Sequence, residues 1–328
     1  MDAKTFETGA DAPLLATADC AFPPGTRAIW YEGVGGLPMR AAFAPAEQPR
    51  GSVVLSGGRT EPIEKYVEVV GELVARGFSV LIHDWRGQGR SARLLGDRLK
   101  GHAAGYDDFI EDFRRLVAQF DDRLPHPRIA VGHSMGGCLT LTALAKQIGG
   151  FDAAILSAPM LGLNTGQIPP WLARSMSKGL AALGRGGGYI LGGATDPYTT
   201  TFEADQLTHD RARYDRTRRQ ILADRDLALG APTWGWLASA FRAVDWLHTA
   251  PEVTRIHIPL VVMGAELERL VSNADQRTVT ARVPGARYVE VKGAFHEILM
   301  ETDDIRAQFW REFDALAEQV GAGSKPPG

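Results

Sequence analysis

The sequence holds only two cysteines, Cys20 and Cys138, far apart and without paired or ligand-like spacing, so neither a disulfide framework nor a zinc site is expected. It has no surplus of positive charge. Its 36 basic and 39 acidic residues give a formal net charge of -3, without the basic stripe that nucleic acid or anionic lipid requires. No apolar run approaches the roughly 18 residues of a membrane span. The opening "MDAKTFETGADAPLL" has acidic residues where a secretory signal has a basic start and an apolar core. These absences point to a reducing compartment, cytoplasmic or peripheral at the inner face of the membrane, and to no nucleic-acid partner. There is also no internal repeat. What remains is ordinary globular material, 328 residues that are 45% hydrophobic and 23% charged, enough to bury a sizeable core.

Short β-rich runs alternate with helical patterns, the sequence form of an α/β protein with a mostly parallel sheet flanked by helices on both faces. The runs at 51–58, 78–85, 128–132 and 151–159 read as strands. Between them, 61–77 and 107–120 carry apolar residues at helical spacing, as does 135–147. "RAIWYEG" and "LPMRAAFAP" read as an antiparallel hairpin at the sheet edge. After the fourth parallel strand the rhythm breaks, and 160–244 shows helical stripes without a convincing strand. Alternation resumes at 258–266 and 286–297 and ends in a helix containing Ile305, Phe309, Phe313 and Leu316. The expected organisation is an N-terminal extension over 1–25, a core from 26–159 and 245–320, a helical cap over 160–244, and a disordered tail over 321–328.

"AVGHSMGGCLT" places Ser134 in a Gly-x-Ser-x-Gly frame at the predicted strand-to-helix turn. Glycines 132, 136 and 137 remove Cβ atoms where strand and helix backbones converge, which leaves the serine Oγ exposed at the carboxyl end of the sheet. A serine hydroxyl is a poor nucleophile at neutral pH and needs an imidazole base with a carboxylate to orient it. Of the eight histidines only His257 and His296 follow residue 250, and His257 precedes a strand. His296, in "KGAFHEILM", follows the last strand. The other six, His83, His102, His126, His133, His209 and His248, read as structural. The loop "AELERLVSNADQ" offers Glu268, with Glu266 as the alternative acid. Oxyanion donors are expected from the backbone N–H of Met135 and from the "SGGRTE" loop, where Arg59 is preferred and Gly58 is next. The Arg59 side chain reads as a solvated loop-tip arginine that is also placed to meet an anionic substrate group.

The chain resembles the α/β-hydrolases, in particular the branch of bacterial lysophospholipases and monoacylglycerol lipases. The resemblance is carried by "GGRTEPIEKY", "DWRGQGRSARLLGDRLKGH", "GHSMGG", "LVSNADQ" and "GAFHEILME". It implies the α/β-hydrolase fold with a helical cap inserted after the fourth core parallel strand. It assigns the nucleophile to Ser134, the acid to Glu268, the base to His296 and the oxyanion amides to Arg59 and Met135. Gly57-Gly58 stands where the family more often has His-Gly, and Glu268 where it more often has aspartate. The expected chemistry is ester hydrolysis through an acyl-enzyme, with no cofactor and no metal, on a small-molecule or lipid ester such as a lysophospholipid or monoacylglycerol. Trp171, Leu172, Met176 and Leu180 are expected to line an acyl pocket together with Gly58, and the cap to make transient membrane contact. The competing readings are a small-molecule esterase, a C–C hydrolase or an aminopeptidase, for which Glu203, Asp205 and Asp210 are candidate amine-binding acids. A non-catalytic ligand-binding relative is the reading from another class.

Overall fold

The structure, a computed structural model, describes residues 6–15, 17–193, 196–205 and 207–322. Eight strands form one sheet: β1 (Arg27–Glu32), β2 (Pro38–Ala44), β3 (Gly51–Ser56), β4 (Phe78–His83), β5 (Arg128–His133), β6 (Ala153–Ser157), β7 (Leu260–Ala265) and β8 (Arg287–Val291). Their order is β1-β2-β4-β3-β5-β6-β7-β8, with β2 antiparallel to both neighbours and the other pairs parallel. The predicted edge hairpin is β1 and β2. Residues 9–12 extend that edge by bonding to Trp30 and Ala28.

The inner strands read as unbroken apolar runs because both of their faces are covered. Along β5, Ile129 and Val131 face the cluster built with α1 (Val67–Ala75) and α9 (Asp303–Gln319). Ala130 faces the opposite cluster, built with α2 (Asp107–Gln119) and α3 (Met135–Ala145). The "DWRGQGRS" stretch holds the fold rather than a reaction. Asp84 and Glu64, both fully buried, grip the Arg40 guanidinium at 2.7 and 2.8 Å. Arg86 bonds Asp112 through two nitrogens, at 2.6 and 2.9 Å.

Between β6 and β7 lie α4 (Pro170–Ala182), the short α5 (Phe202–Asp205), α6 (Arg211–Ala223) and α7 (Trp234–Thr249); α8 (Asn273–Thr280) follows β7. The boundary expected at 244 falls inside α7, whose Ala240, Val244 and Leu247 are buried. No break separates insertion from core at that point. Of the expected tail, Gly321 turns the chain at φ +81° and Ala322 is fully buried, while 323–328 lie outside the described residues.

Candidate active site

Ser134 joins β5 to α3 with φ +52° and ψ -118°, a region that an L-residue other than glycine rarely occupies. The turn is held from outside: the Ser134 N–H donates to the Ser157 carbonyl at 3.0 Å, and its own carbonyl accepts the Met160 N–H at 2.9 Å. Two glycines are obligatory here. A Cβ on Gly132 would lie 2.8 Å from the Gly137 Cα, and one on Gly136 would overlap the carbonyl oxygens of Ser56 and Gly57. The turn thereby lifts the serine Oγ clear of the sheet.

His296 reaches this hydroxyl from the loop after β8, with Nε2 at 2.9 Å from Ser134 Oγ. Its Nδ1 lies 2.7 Å from Glu268 Oε2. The Glu268 side chain is almost fully buried, and Oε1 accepts the N–H groups of Arg269, Leu270 and Val271 at 2.9, 2.8 and 3.3 Å. Burial alone would raise its pKa, but the bond from His296 and these amides outweigh that and hold it below the usual carboxylate range. Glu266 turns away to Lys292 and Gly293 at the surface. The histidine loop is anchored by the inserted segment. Glu297 N–H donates to the Leu207 carbonyl at 2.9 Å, Thr208 Oγ1 to that of Met300 at 2.6 Å, and His209 stacks on Phe295 at 4.0 Å.

The loop after β3 has its carbonyls tied back, since Trp85 Nε1 and Gln88 Nε2 donate to Gly57 and Gly58 at 2.9 and 2.8 Å. The Gly58 N–H is taken by the Glu61 carboxylate. Among the described residues the N–H groups of Arg59 and of Met135, the first residue of α3, donate to nothing, and both residues line the cavity at Ser134. They are therefore free to receive an oxyanion.

Ser134 and His296 open into a cavity of about 490 Å³, with Gly58 on its wall and an apolar lining that includes Met160, Leu163, Ile168, Met176, Ile190 and Leu237. Of the expected acyl-pocket residues on α4, only Met176 lines it. Trp171 is 67% exposed, and Leu172 and Leu180 stand off the cavity. The buried face of α4 is set by its packing on α7 and runs through Ala173 and Ser177, between the expected positions. The Arg59 side chain is not a solvated tip. It folds inward, donates through Nη2 to the Gly230 carbonyl and lies over Trp236, its centre 5.4 Å from the ring. Burial pulls its pKa down to about 10.

Sequence reasoning missed the group beneath the loop after β3. Glu61 accepts from Tyr66 Oη at 2.6 Å and Lys65 Nζ at 2.7 Å, and Lys65 also bonds Glu297 at 2.5 Å. Burial disfavours the Glu61 charge, but Lys65 overrides it and keeps the carboxyl ionised. His133, 4.9 Å from the His296 ring, is pushed by burial down to about 4 and stays neutral, so it sets no like charge against a developing imidazolium. The spacing of Glu61 and Lys65 was legible as one helical turn; their meeting with Glu297 was not.

Residues 47–303 match the hydrolase family described as serine aminopeptidase, S33. The chain belongs to this α/β-hydrolase family. Lysophospholipase L2 of Escherichia coli (strain K12), a curated relative of this hydrolase, is 34% identical to it over 291 residues, covering 84% of this chain and 83% of that protein. The monoacylglycerol lipase of Mycolicibacterium smegmatis is 30% identical over 281 residues, covering 83% and 91%. Among solved structures, the monoacylglycerol lipase of Paleococcus ferrophilus superposes on this hydrolase with a TM-score of 0.66 at 19% identity, covering 85% and 98%.

Proposed function

We propose that the protein is a serine carboxylic-ester hydrolase acting on lysophospholipid or monoacylglycerol-type lipid esters. One observation carries this reading: Ser134, His296 and Glu268 are hydrogen-bonded in series at 2.9 and 2.7 Å at the mouth of an apolar cavity. His296 Nε2 takes the hydroxyl proton as Ser134 Oγ attacks the ester carbonyl, and the oxyanion is received by the Arg59 and Met135 amides. Glu268 holds the Nδ1 proton and stabilises the imidazolium. The imidazolium returns its proton to the departing alcohol oxygen, leaving an acyl-serine. A water molecule deprotonated by His296 then releases the carboxylic acid and restores the serine.

The apolar lining suits an acyl chain, and the helices between β6 and β7 act as a lid over it. Relatives named lysophospholipase and monoacylglycerol lipase support the lipid ester. Exposed Trp171, Leu183 and Leu191 on the inserted segment suit a transient contact with a lipid surface, and among the described residues no helix is long and apolar enough to cross a membrane. Peptidase action has less support. Glu203 pairs with Arg211, Asp210 caps α6, neither lines the cavity, and the Asp205 side chain lies outside the described residues. The test is fluorophosphonate labelling of Ser134 beside turnover of p-nitrophenyl esters of rising acyl length, lysophosphatidylcholine and monoacylglycerol. Labelling that depends on His296 with preference for medium or long acyl chains is expected. No labelling, or a strict short-chain preference, would overturn the lipid-esterase reading.

A further inference from the structure

A second cavity, of about 510 Å³, adjoins the first and shares Arg59, Thr60, Leu207, Pro232, Leu270 and Glu297 with it. Its wall is mostly apolar, but it carries more charged side chains than that of the first cavity. Arg59, Lys65, Arg213 and Arg218 reach it against two carboxylates, Asp196 and Glu297. Lys65 is matched by Glu61 and Glu297, and Arg213 by Glu68, Asp210 and Asp303. Among the described residues, Arg59 and Arg218 have no carboxylate partner. Arg59 donates to the Gly230 carbonyl, and its Nε is buried without a bond. Arg218 donates to the carbonyls of Thr200 and Tyr198 and lies over the Tyr214 ring. Carbonyl dipoles satisfy N–H donors but do not supply a counter-charge, so Arg59 and Arg218 are the two cations on this wall that an anionic group of a ligand would pair, with Asp196 the one carboxylate there without a cation partner among the described residues.

The residues it shares with the cavity at Ser134 narrow the anion to one carried by the same substrate. The Arg59 amide is the proposed oxyanion donor, and from its Cα the side chain runs three carbons and one nitrogen to the guanidinium carbon. In a 1-acyl lysophospholipid, three carbons and one oxygen separate the ester oxygen from the phosphorus. The two linkers contain the same number of atoms, and guanidinium pairs with phosphate through parallel N–H bonds.

We propose that the second cavity is a headgroup subsite in which Arg59 and Arg218 bind the phosphodiester of a lysophospholipid while the acyl chain fills the apolar cavity. The proposal rests on the ester-hydrolase reading for its orientation, but the subsite is testable without turnover. In Ser134→Ala protein, calorimetry compares 1-octanoyl-lysophosphatidylglycerol with 1-octanoylglycerol below their micelle concentrations. The phosphate-bearing ligand is expected to bind at least about tenfold more tightly, an advantage lost in Arg59→Met and Arg218→Met and largely kept in Arg59→Lys and Arg218→Lys. A variant that merely loosened the fold would weaken both ligands together and leave their ratio unchanged. Equal affinities, or an advantage that survives both methionine variants, would overturn the subsite. Phosphate-dependent binding in a protein whose wild type hydrolyses no ester would uphold the subsite and refute the catalytic reading alone.

Discussion

Replacing Glu268 by glutamine tests the proposed triad acid against its neighbour Glu266. Glu268 uses Oε1 for three backbone N–H groups and Oε2 for His296 Nδ1. Glutamine keeps only one oxygen. Three converging donors fix that oxygen on the backbone side, so the amide NH₂ faces Nδ1 and forces it to accept. The proton then sits on Nε2, aimed at Ser134 Oγ, and the imidazole can no longer act as a base. Loss of the correct tautomer costs about 10³ to 10⁴ in kcat, equivalent to about 4 to 5.5 kcal/mol of barrier. Glu266, whose partners are the exposed Lys292 and the Gly293 amide, should change kcat less than about threefold when converted to glutamine. Steady-state hydrolysis of a p-nitrophenyl ester measures both variants, with circular dichroism to establish folding. A Glu268→Gln enzyme retaining more than a tenth of wild-type kcat would refute the reasoning, as would collapse of Glu266→Gln alone.

Three further expectations follow from the packing. Gly136→Ala drives a methyl into the Ser56 and Gly57 carbonyls, shifting the oxyanion loop, and should lower kcat by about 10² in an ester assay on folded protein. Arg40→Met leaves Glu64 and Asp84 buried without their cation and should cost about 3 to 5 kcal/mol in urea unfolding. Burial pushes His83 down to about 3 and His133 to about 4, so the unfolded chain binds their protons first as pH falls below 6.5. Their stability contribution is therefore complete above pH 6.5 and is lost toward those values, by up to about 1.4 kcal/mol per pH unit for each histidine. Urea midpoints taken from pH 7 to 4 should fall, and fall less in His83→Gln; an unchanged slope in that variant would count against the assignment.

The strand-turn-helix around Ser134 was legible because every signal for it is local: an apolar run, close-packed glycines and a helical stripe within a few residues. His296 was legible by elimination along the chain. Glu268 was legible as one of two acids, and only the fold distinguishes them, since the difference is which carboxylate faces an imidazole 28 residues away. The readings that failed depend on distant partners. The inward course of Arg59 is set by Gly230, 171 residues on, and by Trp236. The buried face of α4 depends on α7, so of Trp171, Leu172, Met176 and Leu180, expected from its own sequence, only Met176 reaches the cavity.

The anchoring of residues 295–301 by Leu207, Thr208 and His209 gives the inserted segment two mechanically different ends. Lifting the end next to α6 would pull the imidazole away from Ser134, so that opening for a bulky chain there would interrupt the proton transfer proposed for this pair. At the α4 end, Ile168, Met176 and Leu191 border the cavity with no such bond to the histidine loop among the described residues. Displacing them breaks no bond to the His296 loop among the described residues, while Asn164, just before them, stays tied to the Leu270 and Val271 carbonyls beside Glu268. If the segment opens as the proposed function requires, it is a door with its hinge at His296, and its freer edge is the α4 side.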